Sequence, residues 1–242
     1  MLRRSFAKLL LATMAIGSFI SAAAATPEQI IILRHGEKQD AYRLCQVGVQ
    51  RSLALAAQYL GKGAEQSLFS GGSKPDAFIA ITLHTLELVS PSARSWNMPV
   101  ILYSVLPMRG QTAAQTTAIL NQRTQEAVRD VLANPAWDGK TVVMVWEHHH
   151  IADLALEKQF PNDKITLRQL FNLDVNTTLP ETWSGDNFDY FWIVNFAKGS
   201  NRPTSVEVRK QVFTGSFASV PSNDWAKPPT YPANSKCEVN SN

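Results

Sequence analysis

Two cysteines, 12 glycines and 13 prolines in 242 residues exclude a collagen-like or linker-dominated protein, and no repeat or low-complexity tract suggests an array. Charge is scarce too, at 18% of residues, below the usual level of about a quarter, yet the 45% hydrophobic content leaves no sign of disorder. No Gly-x-Ser-x-Gly elbow occurs, which counts against a serine hydrolase, and no His-Glu-x-x-His pair, which counts against that zinc pattern. The chain is long enough for a sizeable core and shows no linker between two cores, so one mature domain is the economical reading.

Cationic excess is also missing once the N-terminus is set aside. Arg3, Arg4 and Lys8 precede the apolar stretch from Leu9 to Ile20, which is followed by Ser21 and the small residues Ala22 to Ala25. This is the layout of a secretory signal with an Ala-x-Ala cut after Ala25, giving a leader over 1–25 and a domain over 26–242. The rival is an uncleaved anchor, disfavoured because the second half of the stretch is Ala-rich and only weakly apolar. Without those three cations the 23 basic residues fall level with the 20 acidic ones, and the formal charge of +3 drops to zero. The pI near 8.9 belongs largely to the leader, and no basic stripe points to nucleic acid. The expected setting is secreted, in the periplasm, with no membrane contact after cleavage. In an oxidising compartment an even cysteine count favours a Cys45–Cys237 disulfide over two separate buried thiols. Such a bridge would contribute at most about 4–5 kcal/mol through chain entropy.

Along the chain, residues 29–33, with three consecutive isoleucines, read as a buried strand. Residues 47–60 place Val49, Leu53, Ala56, Ala57 and Leu60 at helical spacing and stop at Gly61. Strands follow over 77–82, 100–105 and 141–146. Helical stretches lie between them, one reaching Trp96 past Pro91, which must bend it or begin it anew, and one over 113–132. A short helix is expected over 151–160. Two late strands, 188–196 and 205–213, are joined by the Gly199-Ser200-Asn201 turn. The alternation predicts an α/β fold: a three-layer sandwich with a mostly parallel sheet, helices on both faces and an antiparallel edge.

The five histidines are His35, His84, His148, His149 and His150, and each lies within a few residues of the end of a predicted strand. In open α/β sheets the ligand crevice forms outside those carboxyl ends. A single such histidine would read as a surface or hydrogen-bonded residue; the set reads as a site.

The segment Arg34-His35-Gly36-Glu37, directly after a buried strand, resembles the signature of the histidine phosphatase superfamily, with its phosphoglycerate mutase-like fold. Val142 to His148 resembles that family's later strand ending in its second catalytic histidine. The Trp146-Glu147-His148-His149-His150 run, Cys45 and Cys237, and the Asp186 to Tyr190 segment are similar to a secreted bacterial subgroup. The resemblance implies that His35 is a nucleophile taking up a phosphoryl group, that Arg34 holds the phosphoryl oxygens, and that His148 donates to them from across the pocket. It implies a small phosphorylated substrate and no cofactor or metal.

Family members usually add a second arginine at the start of the helix after the second strand. Counting back from Met98-Pro99-Val100 puts that position at His84, with Arg94 and Arg109 as rivals lying farther along the chain. A histidine there is largely neutral at pH 7 and lacks arginine's fork, so phosphate affinity is expected to rise as pH falls. The proton donor is open among Glu37, Glu147, His149 and Asp153; Glu37 could equally cap the next segment, and Glu147 could simply orient a histidine. Two alternatives stay beside the phosphatase. One is a phosphoryl-ligand binding protein of the same fold. The other is a metal site built on Glu147 and the histidine run, in which an extended backbone would let only His148 and His150 share a side.

Overall fold

Described here are residues 26–69 and 73–238 of a computed structural model; the expected leader lies outside them. Alternation within the isoleucine run sets the architecture. In β1 (Gln29–Arg34), Ile30 and Ile32 enter one core while Ile31 and Leu33 enter another. A strand apolar on both sides has to be covered on both sides. The same holds for β2 (Ala77–Ala80) and β4 (Thr141–Trp146), which send Ile79, Met144 and Trp146 one way and Phe78, Val143 and Val145 the other.

The six strands run in the order β3-β2-β4-β1-β5-β6. β1, β2, β3 (Val100–Leu102) and β4 are parallel, while β5 (Tyr190–Phe196) and β6 (Pro203–Lys210) form an antiparallel edge. One face is covered by α1 (Gln46–Leu55), which continues as a π-helical turn over Ala56–Leu60, and by α2 (Leu83–Ser95). The other face is covered by α3 (Ala113–Ala133), the single turns α4 (His148–Ile151) and α6 (Leu167–Leu170), and apolar side chains of the loops beyond. A further short helix, α5 (Leu154–Gln159), follows α4. This is the three-layer α/β arrangement expected from the strand–helix alternation. No helix among the described residues is long and apolar enough to cross a membrane.

Three local expectations need correction. The inward face of α1 does not follow its apolar spacing: Val49 and Leu53 are exposed, and the helix buries Val47, Arg51, Ala54 and Leu55 instead. The cause is a buried ion pair, which turns Arg51 to the inside. Gly48 permits the close approach, because a Cβ there would lie 2.3 Å from the Glu37 carbonyl oxygen. The helix expected over 151–160 is broken at Ala152-Asp153, where the Asp153 side chain accepts from the amides of Ala155 and Leu156 and starts α5. His148–Ile151 is then a helical turn rather than extended chain, so His148 and His150 do not share a side. Pro91 lies inside α2 without ending it.

Cys45 and Cys237 form a disulfide, with Cα atoms 5.0 Å apart. It fastens the C-terminal tail to the loop after β1, where the Glu238 amide donates to the Lys38 carbonyl at 2.7 Å.

Candidate active site

β1 and β4 lie side by side in register, Arg34 opposite Trp146, so the chain leaving each strand emerges at the same point of the sheet edge. The His35 amide donates to the Trp146 carbonyl at 3.0 Å, one last rung beyond the ladder. That pairing delivers His35 beside Glu147 and His148. β2, the neighbour of β4 on its other side, ends at Ala80; Thr82, two residues on, caps α2 and brings His84 to the same edge.

His35 is buried, and its Nδ1 lies 2.7 Å from the Gly36 carbonyl oxygen. A carbonyl can only accept, so Nδ1 carries the ring proton and Nε2 presents a lone pair. Desolvation, with the charges of Lys38 and Arg34 nearby, holds the His35 pKa well below the usual histidine value, so the ring is neutral. A Cβ at position 36 would approach Leu88 Cδ1 to 3.0 Å, which accounts for glycine after the histidine.

Arg34 is buried beneath this ring. Its Nη1 donates to the carbonyls of Ser184, Gly185 and Asn187, and the guanidinium carbon lies 3.9 Å from the Phe188 ring centroid. Its Nη2 lies 3.1 Å from His35 Nε2 and 3.2 Å from His148 Nδ1. Two N–H bonds on one nitrogen thus serve two imidazole lone pairs, which explains how those ring atoms sit 3.3 Å apart with no proton between them. Burial lowers the Arg34 pKa to about 9, against the pull of Glu147, and the group stays charged at neutral pH. His148 is held well below its usual value by desolvation and by Arg34.

Glu147 lies at the centre of the cluster. Its Oε2 is 3.0 Å from Lys38 Nζ and 3.4 Å from His35 Nε2, and its Oε1 accepts from Thr82 Oγ1 at 2.7 Å. Burial alone would raise its pKa, but Lys38 and the Thr82 hydrogen bond outweigh that and bring it down to about 2. His84 donates from Nε2 to the Asp40 carbonyl at 2.7 Å, and its ring centroid is 6.3 Å from that of His35. Its Nδ1 is buried with no hydrogen-bond partner among the described residues. Burial and Lys38 lower its pKa.

Other candidates lie elsewhere. Glu37 is not turned to the site: both of its oxygens accept from Arg51, at 2.7 Å to Nη2 and 3.1 Å to Nε. A buried arginine needs that carboxylate, so Glu37 is engaged as the partner of Arg51. His149 is 60% exposed at its side chain and bonds Asp153, whose other oxygen caps α5. His150 faces the interior, 2.9 Å from Asn121 Oδ1, with burial lowering its pKa to about 4. Arg94 is exposed in the last turn of α2, and Arg109 is exposed in a turn before α3, so neither stands at the strand end beside His35. The residue that sequence reasoning passed over is Lys38, three positions after His35. An arginine was sought after the second strand, while a cation stood in the loop after the first.

A metal is a fair question for these side chains, because ligand atoms of His35, Glu147 and His148 lie within 4.8 Å of one another. Two imidazoles and a carboxylate are a reasonable donor set for a transition metal. Here, however, Arg34 donates to both imidazole lone pairs and Lys38 sits on the carboxylate, so a cation would have to displace two cations. The arrangement suits an anion better.

No family model and no curated protein matches the chain. Among solved structures, a mycobacterial glucosyl-3-phosphoglycerate phosphatase in its native form is similar at 12% identity and a TM-score of 0.42, covering 77% of this chain and 99% of that one. Mycobacterial hydrolase 1 is 16% identical, with a TM-score of 0.39 and coverage of 78% and 99%. Mycobacterial hydrolase 2 is 13% identical, with a TM-score of 0.37 and coverage of 86% and 94%.

Proposed function

We propose that the protein is an exported phosphatase that hydrolyses a phosphomonoester through phosphorylated His35. The observation that carries this reading is the lone pair of His35 Nε2, fixed by the Nδ1–Gly36 hydrogen bond and surrounded by Arg34, Lys38 and the unpartnered Nδ1 of His84. A neutral imidazole can approach a phosphate dianion that repels charged nucleophiles. Lys38 supplies the second positive charge that the resemblance looks for in an arginine at position 84. The N-terminus of α2 adds its amide dipoles at the same edge.

His35 Nε2 attacks phosphorus as the bond to the ester oxygen breaks, and the leaving alcohol needs a proton. Glu147 is the carboxylate within reach. A substrate dianion arriving next to it raises its proton affinity, so it takes up a proton with the substrate and gives it to the leaving oxygen. Water then attacks the phosphohistidine and returns that proton to Glu147, releasing phosphate and restoring Nε2. His148, an acceptor from Arg34 in the free site, becomes a donor to the phosphoryl oxygens once its Nδ1 is protonated.

The test is an assay of the purified protein on an aryl phosphate, beside His35→Ala and with and without EDTA. Turnover that falls more than about 10³-fold in His35→Ala, together with an acid-labile phosphoryl group trapped on the wild type, is the expected result. Turnover retained by His35→Ala sinks the reading, and phosphate binding without any turnover leaves the binding-protein alternative. Loss of turnover with EDTA would move the assignment to the metal.

A further inference from the structure

Beside the Glu147 carboxylate a cavity of about 380 Å³ opens between the loop after β1, the end of β2 and the first half of α3. Its volume falls in the range of small-molecule sites, about 300–1,000 Å³. Lys38, Thr82, His84 and Glu147 form its inner end, the same groups that surround the reacting nitrogen. The outer part differs in character. Val105, Leu106, Pro107, Met108 and Leu120 line one wall, and Leu106 and Met108 stand 44% and 66% exposed. Large apolar side chains left open on the lip of a site lose free energy to water unless a ligand covers them.

The charge left unpaired in the outer part is negative. Among the lining residues Lys38 is the only fixed cation, and it is engaged with Glu147, while Asp40 and Glu238 contribute carboxylates. Asp40 is paired with Arg43. Glu238 is delivered to this position by the hydrogen bond from its amide to the Lys38 carbonyl and by the neighbouring disulfide. A substrate with a second phosphate or a carboxylate would bring its extra charge beside Glu238, while Lys38 is engaged by Glu147 and Arg43 by Asp40. One polar contact is on offer: Gln111 lines the same cavity, and its amide nitrogen is buried without a partner among the described residues.

Resting on the phosphatase reading, we infer that the substrate is the monophosphate ester of an uncharged, largely apolar alcohol, with one hydrogen-bond acceptor to meet Gln111. The phosphoryl group lies against His35, Lys38 and His84; the ring or chain of the alcohol lies across Leu106, Met108 and Leu120. Glu238 disfavours polyanionic esters.

The experiment compares kcat/KM of the full chain for naphthyl phosphate and for a sugar bisphosphate at one pH and ionic strength. A preference of about tenfold or more for the naphthyl ester is expected from the apolar contact. The double variant Leu106→Ser/Met108→Ser should lower that preference by about tenfold, mainly through KM, and Glu238→Lys should narrow it by raising kcat/KM for the bisphosphate. Both sites are exposed, so folding is not at stake. Equal or better use of the bisphosphate, or a double variant with an unchanged ratio, overturns the inference. If neither ester is turned over, the phosphatase reading fails, and the inference is judged from calorimetric dissociation constants. Tighter binding of the naphthyl ester then supports it, and equal or weaker binding overturns it.

Discussion

Oε2 of Glu147 lies 3.4 Å from Nε2 of His35. A carboxylate at that distance stands where an oxygen of a bound phosphoryl group would be expected, accepting from Lys38 and Thr82 the hydrogen bonds that a substrate oxygen would accept. Glu147 thus holds a carboxylate oxygen where the proposed function would put an oxygen of the substrate. On the proposed function, the carboxylate must yield some of these donors when a phosphate arrives.

Lys38 is the first residue on which this can be tested. If it carries charge for the phosphoryl group, Lys38→Met should weaken phosphate binding by about tenfold or more, the scale of one charge-assisted hydrogen bond. Lys38→Arg should keep most of the affinity. Equal loss in both variants would mean that Lys38 only shapes the loop after β1. Titration of phosphate followed by calorimetry distinguishes the two.

The pH dependence follows from the histidines. Burial lowers the pKa of both His84 and His148, with Lys38 adding to the effect on the first and Arg34 on the second, so both are neutral in the free site near pH 7. A bound dianion favours their protonated forms. Binding therefore takes up protons, and affinity rises as pH falls from neutral, levelling only below the free-site values. The slope is at most about tenfold per pH unit for each proton taken up. Because phosphate itself gains a proton with a pKa near about 6–7, sulfate, whose charge does not change in this range, is the cleaner probe. Tightest sulfate binding above pH 7.5 would contradict the account, and His84→Gln should flatten the slope.

Glu37 and Arg51 offer a test of structure against chemistry. Glu37→Leu leaves the Arg51 guanidinium buried without its carboxylate, at a cost of about 3–5 kcal/mol, to be measured by denaturant unfolding. Adding Arg51→Met should recover most of that. Recovery of stability and of activity together identifies Glu37 as a structural partner. A double variant that is stable yet inactive would return Glu37 to the list of acids.

Much of the fold is legible because β1 is apolar from Ile30 to Leu33 and β4 from Val142 to Trp146, and both are followed by chemistry-bearing side chains. The alternation of such strands with helices leaves few topologies. The inner face of α1 was not legible, since Arg51 is buried by a partner fourteen positions earlier, and hydrophobic spacing says nothing of ion pairs. The extended reading of the histidine run fails for a local reason: the chain turns into a helix at His148, directly after Glu147. Arg34, His35 and Glu147 are legible in the sequence because they follow strand ends; Lys38 is not, because its place beside Glu147 is set by the path of the loop after β1.

The proton for the leaving group gives the most discriminating measurement. With its pKa brought down to about 2 in the free site, Glu147 is ionised across the working range, and only the approach of a second anion can make it an acid. Glu147→Gln removes both the acid and the resident negative charge. Phosphate should then bind more tightly, by about tenfold, since the repulsion between like charges a few ångströms apart is gone. Turnover should divide by leaving group. An alkyl phosphate, whose alkoxide needs a proton, should lose about 10²–10⁴ in kcat, whereas a nitrophenyl phosphate, which departs as a stable phenolate, should lose far less. A uniform loss over both esters would show that Glu147 only orients its neighbours, and the acid would have to be sought in a water held by the same carboxylate.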